Sequence, residues 1–200
     1  MSRRIARPAK RICLGISICI CTMAPQGSLA EGLPPPRPDS PAADVAPRGE
    51  RAPRPIEYSA WQKLCFTPPS ANVVCRTTTT GTWDTRQVAI RVDLIDSPNG
   101  DARLQVFMPV GLYLPPGIRL SIDQDVPMTI PYSWCLANAC VAATAADAKL
   151  INALENGQRL TLEAVDSNIL TITTTVPLHQ FAAAHRGPPA QRFERQFDND

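Results

Sequence analysis

Arg86–Met108, RQVAIRVDLIDSPNGDARLQVFM, is the stretch whose reading decides the fold. Val88, Ile90, Val92 and Leu94 alternate with small or polar residues, and a period of two places all four on one face of a half-buried strand. Asp96-Ser97-Pro98-Asn99-Gly100-Asp101 breaks the pattern with Asn-Gly, a dipeptide suited to the positive φ angles of a tight hairpin turn. Arg103–Met108 then resumes an apolar run. Strand, Asn-Gly turn and strand together predict an antiparallel hairpin.

The sequence on either side of this hairpin has the same character. Ile118–Ile122 follows the turn Pro115-Pro116-Gly117, and Val126–Ile130 is a further strand candidate. Arg159–Val165 and Ile169–Thr173 flank Asp166-Ser167-Asn168 as a last pair. Thr77–Thr80 reads as a polar, β-prone strand or loop and not as a site. Two short helices are expected. Thr144-Ala145-Ala146-Asp147 resembles a capping box with Asp in place of Glu or Gln, Leu150, Ile151 and Leu154 form the apolar stripe, and Gly157 ends the helix. The second covers Leu178 to His185. Many short strands with two small helices predict a mainly β fold over residues 56–185, an antiparallel β-sandwich or open barrel.

The flanks are of a different kind. Arg3, Arg4, Arg7, Lys10 and Arg11 precede an apolar run from Ile12 to Cys21, and Ser28-Leu29-Ala30 supplies a small-x-small motif. A basic segment, a short apolar segment and a cleavage motif in that order predict a signal peptide over 1–30. The apolar run is shorter than the roughly 20 residues a membrane span needs, and isoleucine before Cys13, Cys19 and Cys21 argues against lipidation. Residues 31–55 carry eight prolines and almost no large apolar residues, the composition of an extended, disordered linker. Residues 186–200 read as a flexible tail in which Phe193 and Phe197 could dock.

The whole chain has a formal charge of +2, but the expected signal peptide contains five of its 20 basic residues and none of its 18 acids. The remainder is therefore acidic, at −3. Such a protein has no electrostatic reason to bind nucleic acid or anionic lipid, and after signal cleavage it retains no membrane span. Export also places the remaining cysteines, Cys65, Cys75, Cys135 and Cys140, where disulfides form.

Other chemistries fit these residues poorly. Four residues separate Cys135 from Cys140, against two in thiol oxidoreductases, and no positive charge stands beside either. Nine residues separate Cys65 from Cys75, too many for a zinc knuckle, and His179 and His185 miss the i, i+4 spacing of a helical metal pair. The turn at 96–101 lacks the ligand spacing of a calcium loop. Asp123 and Asp125 read as turn residues, and no Gly-x-Ser-x-Gly is present. No catalytic, cofactor or metal residue is assigned. Of the three connectivities that four cysteines allow, pairing of sequence neighbours is favoured, Cys65 with Cys75 and Cys135 with Cys140.

The ordered set of Trp61, Cys65 and Cys75, then LQVFMPVGLYLPPGI at 104–118, Ile122-Asp123, Cys135 and Cys140, the helix around Leu150 and Phe181-Ala182-Ala183-Ala184 resembles the invasion-associated locus B family of exported proteins of Gram-negative bacteria. The resemblance covers nearly all of 56–185. Departures are the long proline-rich segment and His179-Gln180, where relatives tend to carry Gly before Phe. The resemblance implies an exported β-rich domain, associated in pathogenic relatives with entry into host cells. It brings no catalytic residues to transfer. The expected function is that of a non-enzymatic envelope or secreted protein acting by binding, with a protein, envelope or host-surface component as partner. A periplasmic structural or chaperone-like factor is the alternative, and an uncharacterised hydrolase comes third. The expected location is the periplasm, the outer membrane or outside the cell.

Overall fold

The computed structural model describes residues 45–67 and 73–194. The expected signal peptide, residues 31–44 of the expected linker and the end of the tail, including Phe197, lie outside them. The expected hairpin is present. Strands β4 (Val88–Asp96) and β5 (Ala102–Pro109) pair antiparallel, with Leu94 opposite Leu104 and Asp96 opposite Ala102. Gly100 takes φ +88° in the turn, where the Asn99 amide donates to the Asp101 carboxylate at 2.8 Å. Ile90, Val92 and Leu94 are buried as the alternation requires, but Val88 is 54% exposed. The reason is a register shift against β3 (Val74–Thr82). Gly81 faces Ile90 while Thr82 faces Val88, so Ala89 has no opposite residue. A bulge of this kind turns the chain by one residue, and Ala89 is buried in place of Val88.

The hairpin lies inside an eight-stranded sheet with the order β12 (Gln191–Glu194), β2 (Gln62–Thr67), β3, β4, β5, β9 (Ala139–Ala145) and β8 (Tyr132–Cys135), and β1 (Glu57–Tyr58) adds to β3. The second sheet has four strands, β11 (Thr171–Pro177), β10 (Arg159–Val165), β6 (Ile118–Ile122) and β7 (Met128–Ile130). All pairings are antiparallel except β12 with β2. The chain leaves the long sheet after β5 and builds β6 and β7. It returns for β8 and β9 beside β5, then crosses again for β10 and β11. The fold is mainly β as expected, with two open sheets that share one core and do not close into a barrel.

Directly paired residues point to the same side of a sheet, which sorts the long sheet into two faces. The row Thr79, Val92, Val106, Ala142 and the row of Leu94 and Leu104 look inward. They share one apolar cluster with Ile118, Leu120 and Ile122 of β6 and Leu160 and Leu162 of β10. Each fully buried aliphatic side chain of this kind stabilises by about 1.5–3 kcal/mol. Trp61 closes one end, packing edge-on against Phe181 at 4.9 Å and donating its indole N–H to the Pro177 carbonyl at 2.8 Å. Gly81 is required where β1 crosses. A Cβ there would come within 2.6 Å of Ile56 and 2.7 Å of Tyr58.

Helix α1 spans Ala148–Asn156, starting later than the capping-box pattern predicts. Thr144 and Ala145 stay in β9, opposite Leu104 and Arg103, so sheet pairing wins over the first helical turn. Asp147 becomes the N-cap instead, its carboxylate accepting from the Leu150 N–H at 2.7 Å. Helix α2 is Phe181–Arg186, preceded by a turn in which the Phe181 N–H donates to the Leu178 carbonyl. Strand β7 is shorter than expected. Pro127 has no N–H to give a ladder, and Val126 stands fully in solvent. Both flanks contribute more than composition predicts. In the segment expected as a linker up to 55, Glu50 bridges Thr171, and the Arg48 and Arg51 N–H groups donate to Ile169 and Thr171 carbonyls. In the segment expected as a tail, Gln191–Glu194 forms β12, and Phe193 stacks on Phe66 at 5.0 Å.

Candidate functional site

The four cysteines are paired as Cys65–Cys75 and Cys135–Cys140. Each bridge joins directly opposed residues of an antiparallel pair, β2 with β3 and β8 with β9, with Cα–Cα distances of 4.1 and 4.0 Å. The second closes a hairpin whose tip is Ala137-Asn138, with the Leu136 N–H donating to the Ala139 carbonyl. The stretch YSWCLANAC is therefore an edge strand, a turn and the start of its partner. Cys140 is buried, while Cys135, Trp134 and Leu136 are exposed.

Titratable side chains converge most densely around His185. Its Nδ1 lies 2.8 Å from a Glu155 oxygen and its Nε2 3.3 Å from an Asp96 oxygen. Arg186 also clasps Glu155, and Lys63 donates to the His185 carbonyl. The hydrogen bond to Asp96 does most to raise the His185 pKa, with burial opposing it and Glu155 adding to it. The Glu155 carboxyl is held down at about 2, first by its Arg186 hydrogen bond and then, against burial, by His185. Both ring nitrogens are thus occupied by acids, which leaves neither to take a proton from a substrate. The cluster ties α1, α2 and β4 together. Sequence spacing could not foresee it, because its members are 30 and 89 positions apart.

The other candidate acids are likewise structural. Asp123, at φ +50°, accepts from the Gln158 and Arg159 N–H groups and joins the end of β6 to the start of β10. Buried Asp166 accepts from the Asn168 and Leu170 N–H groups and from Arg51, and the Leu170 bond does most to hold its pKa down. This pair forms part of the wall of a cavity of about 320 Å³. Burial pushes the Tyr58 phenol up to about 12 and raises that of Tyr132, so both stay neutral near neutral pH.

The outer face of the long sheet is different. Among the described residues both helices and the second sheet send side chains into the apolar cluster on its inner side. One row there reads Thr80, Arg91, Phe107, Val141 and Trp134 across five strands. The Arg91 guanidinium lies 3.6 Å above the Phe107 ring, and Arg76 lies 5.6 Å from Phe66. Asp93 sits between the two arginines, 1% exposed, 3.2 Å from Arg91 and 3.8 Å from Arg76. It also accepts from the Thr78 hydroxyl at 2.5 Å. The Nε atoms of Arg76 and Arg91 are buried without an aligned acceptor.

Comparison with known proteins bears on the same domain. The family model described as "Invasion associated locus B (IalB) protein" matches residues 61–189. The chain belongs to this family. Two curated IalB relatives, both described as invasion protein B homologs, come from Brucella abortus strain 2308 and Brucella abortus biovar 1 strain 9-941. Each is 26% identical over 103 residues, which is 52% of this chain and 60% of the relative. The match thus spans less than two thirds of either relative's length. The crystal structure of invasion associated protein B from Bartonella henselae superposes with a TM-score of 0.58. It covers 65% of this chain and 91% of that one at 19% identity, a likeness of fold. The family expectation drawn from the cysteine order and the 104–118 run holds.

Proposed function

We propose that this IalB-family chain is a non-enzymatic, exported protein of the cell envelope that acts by binding, with a host-surface or envelope component as its partner. The observation that carries this reading is the outer face of the long sheet, where aromatic rings and guanidinium groups are packed against one another and partly exposed. Three further features support it. The two disulfides suit an oxidising compartment. Among the described residues no helix is long and apolar enough to cross a membrane. The one histidine within reach of acids has both nitrogens engaged.

Protease shaving of intact cells tests the location, and crosslinking in those cells tests the binding. Loss of the protein from shaved cells, with capture of a surface component, is the expected result. Complete protection of the protein, with crosslinks only to periplasmic proteins, would replace the host-facing role by a structural or chaperone-like one.

A further inference from the structure

We propose that the outer face of the long sheet binds an acidic polysaccharide, laid across the strands. The inference rests on the reading of this chain as a binding protein and names its ligand class. Three arguments lead to it.

The first is the arrangement of rings. Phe66 and Phe193 stack at one corner of the face. Trp134 stands on the opposite edge strand and Phe107 on the interior strand β5, both in the row of Thr80, six residues further along β3 than the row of Val74 and Phe66. At about 3.3 Å per residue and about 4.8 Å per strand, Phe107 lies roughly 20 Å along the strands and 14 Å across them from Phe66, and Trp134 roughly 24 Å across. An extended chain of several sugar rings fits that span, with its C–H faces on the aromatic rings. A protein partner would favour an apolar centre with a polar rim. This face instead intersperses guanidinium groups among its rings, with Arg91 over Phe107 and Arg76 beside Phe66.

The second is charge. Arg76, Arg91 and Arg103 point outward, and Asp93 is the one acid among their immediate neighbours. The face is therefore positive, although residues 31–200 together carry −3. An anionic polymer is drawn to this side of the domain, which is complementarity with direction.

The third is preorganisation. Asp93, itself held by the Thr78 hydroxyl, stands within ion-pair distance of both guanidinium groups, at 3.2 Å from Arg91 and 3.8 Å from Arg76, and the Phe107 ring supports Arg91 from below. Holding a guanidinium still before the ligand arrives removes the side-chain ordering cost from binding. Its planar donor edge matches a carboxylate or sulfate group in two-point fashion.

The test uses the purified chain and calorimetric titration at low salt with three probes: polygalacturonate oligomers, neutral glucan oligomers of the same length, and an oligothymidylate. The expected result is binding of the acidic sugar alone, weakened by added salt through charge screening. Phe107→Ala and Arg91→Ala should each weaken it about tenfold or more, the scale of one lost stacking or charged contact. Lys149→Ala, on the helix side of the molecule, should leave it unchanged. Trp134 fluorescence should change on binding in the parent chain and in Phe107→Leu, a variant that keeps bulk at the sheet centre.

No binding of the acidic oligomer, or binding indifferent to Phe107, Arg91 and Trp134 substitutions, would overturn the proposal. Equal binding of the neutral glucan would remove the charge argument, and equal binding of the oligothymidylate would make the face a nucleic-acid platform. These results come from purified protein, so they are distinct from the shaving experiment. A chain confined to the periplasm could still bind the polymer, and a surface-exposed chain could fail to.

Discussion

Removing one disulfide should lower stability by an amount set chiefly by the loop it closes, and the two bridges provide an internal comparison. Cys135 and Cys140 are separated by 5 positions, Cys65 and Cys75 by 10. On the chain-entropy account, a crosslink closing so small a loop contributes about 2.1 kcal/mol, and one closing the larger loop about 2.7 kcal/mol. Burial adds a similar cost to both, because each bridge has one buried member, Cys65 at 4% and Cys140 at 5% exposed, and a serine in either place leaves a hydroxyl in an apolar setting. The double variant Cys135→Ser/Cys140→Ser should therefore lose about 2 kcal/mol, read as a lower urea midpoint and a Tm decrease of roughly 4–8 °C for a domain of this size. Cys65→Ser/Cys75→Ser should lose more. Reduction of the parent chain should give about the sum of the two losses or somewhat less, because the sites lie in different hairpins and buried thiols stand in place of the serine hydroxyls. An unchanged urea midpoint in the 135/140 double variant, or a larger loss there than at 65/75, would refute the loop-closure reasoning. Binding measured below the new Tm should be retained in the 135/140 variant, since the bridge closes the hairpin and contributes no chemistry.

Leu154→Ala should cost about 2–5 kcal/mol in a urea titration, because Leu154 is fully buried and its removal leaves a cavity between α1 and the sheets. Gly81→Val should cost about 1–3 kcal/mol by overpacking, since the added atoms meet Ile56, Tyr58 and Ile90 within 3 Å, and Gly81→Ala should fall between it and the parent. The His185 cluster predicts a pH window. A raised His185 pKa contributes stability that is full below the ordinary value of 6.5 and is lost as pH rises through the folded value. The lowered Glu155 pKa contributes stability present above the ordinary 4.5 and lost as pH falls toward about 2. Both contributions coexist between about 4.5 and 6.5, so the Tm gap between the parent and His185→Gln should be widest there and narrow at higher pH. A gap that grows with pH would overturn the assignment.

How much of this was legible in the sequence depended on whether the deciding force was local. The β4–β5 hairpin was legible because alternation and Asn99-Gly100 act within a few residues. The start of α1 was legible only to within a turn. Thr144 and Asp147 are both good capping residues, and the choice between them was made by β5, which holds Thr144 and Ala145 in the sheet. Val88 was misplaced for the same reason, since the bulge that turns it outward is set by β3. Strand β12 carries no alternating signal of its own and exists because β2 offers it an open edge. The His185 cluster was invisible, because no spacing rule links Asp96, Glu155 and His185.

The contrast between the two faces of the long sheet explains why the family could be recognised and its activity could not. The residues that carry the resemblance and face inward, Trp61, Leu104, Val106, Ile118, Leu150 and Phe181, are the ones that fill or pack against the core. Core positions are constrained by volume and by their neighbours, so their order in the sequence identifies the fold. The same strands alternate, and the residues between those positions, Arg76, Arg91, Asp93 and Phe107, face outward, where folding requires only that they be compatible with a strand. Yet Asp93 is 1% exposed on that outward face, held by Thr78 and two arginines. A carboxylate buried on that face costs desolvation that a Val or Thr there would avoid. What its burial provides is the fixed position of Arg76 and Arg91. If positioning is its role, Asp93→Asn should keep the fold and weaken binding of an acidic ligand even though it removes a negative charge from the face. If Asp93 merely offsets the arginines, the same substitution should strengthen that binding. The sign of the change, read in one titration against the parent chain, separates a built site from a patch of surface charge.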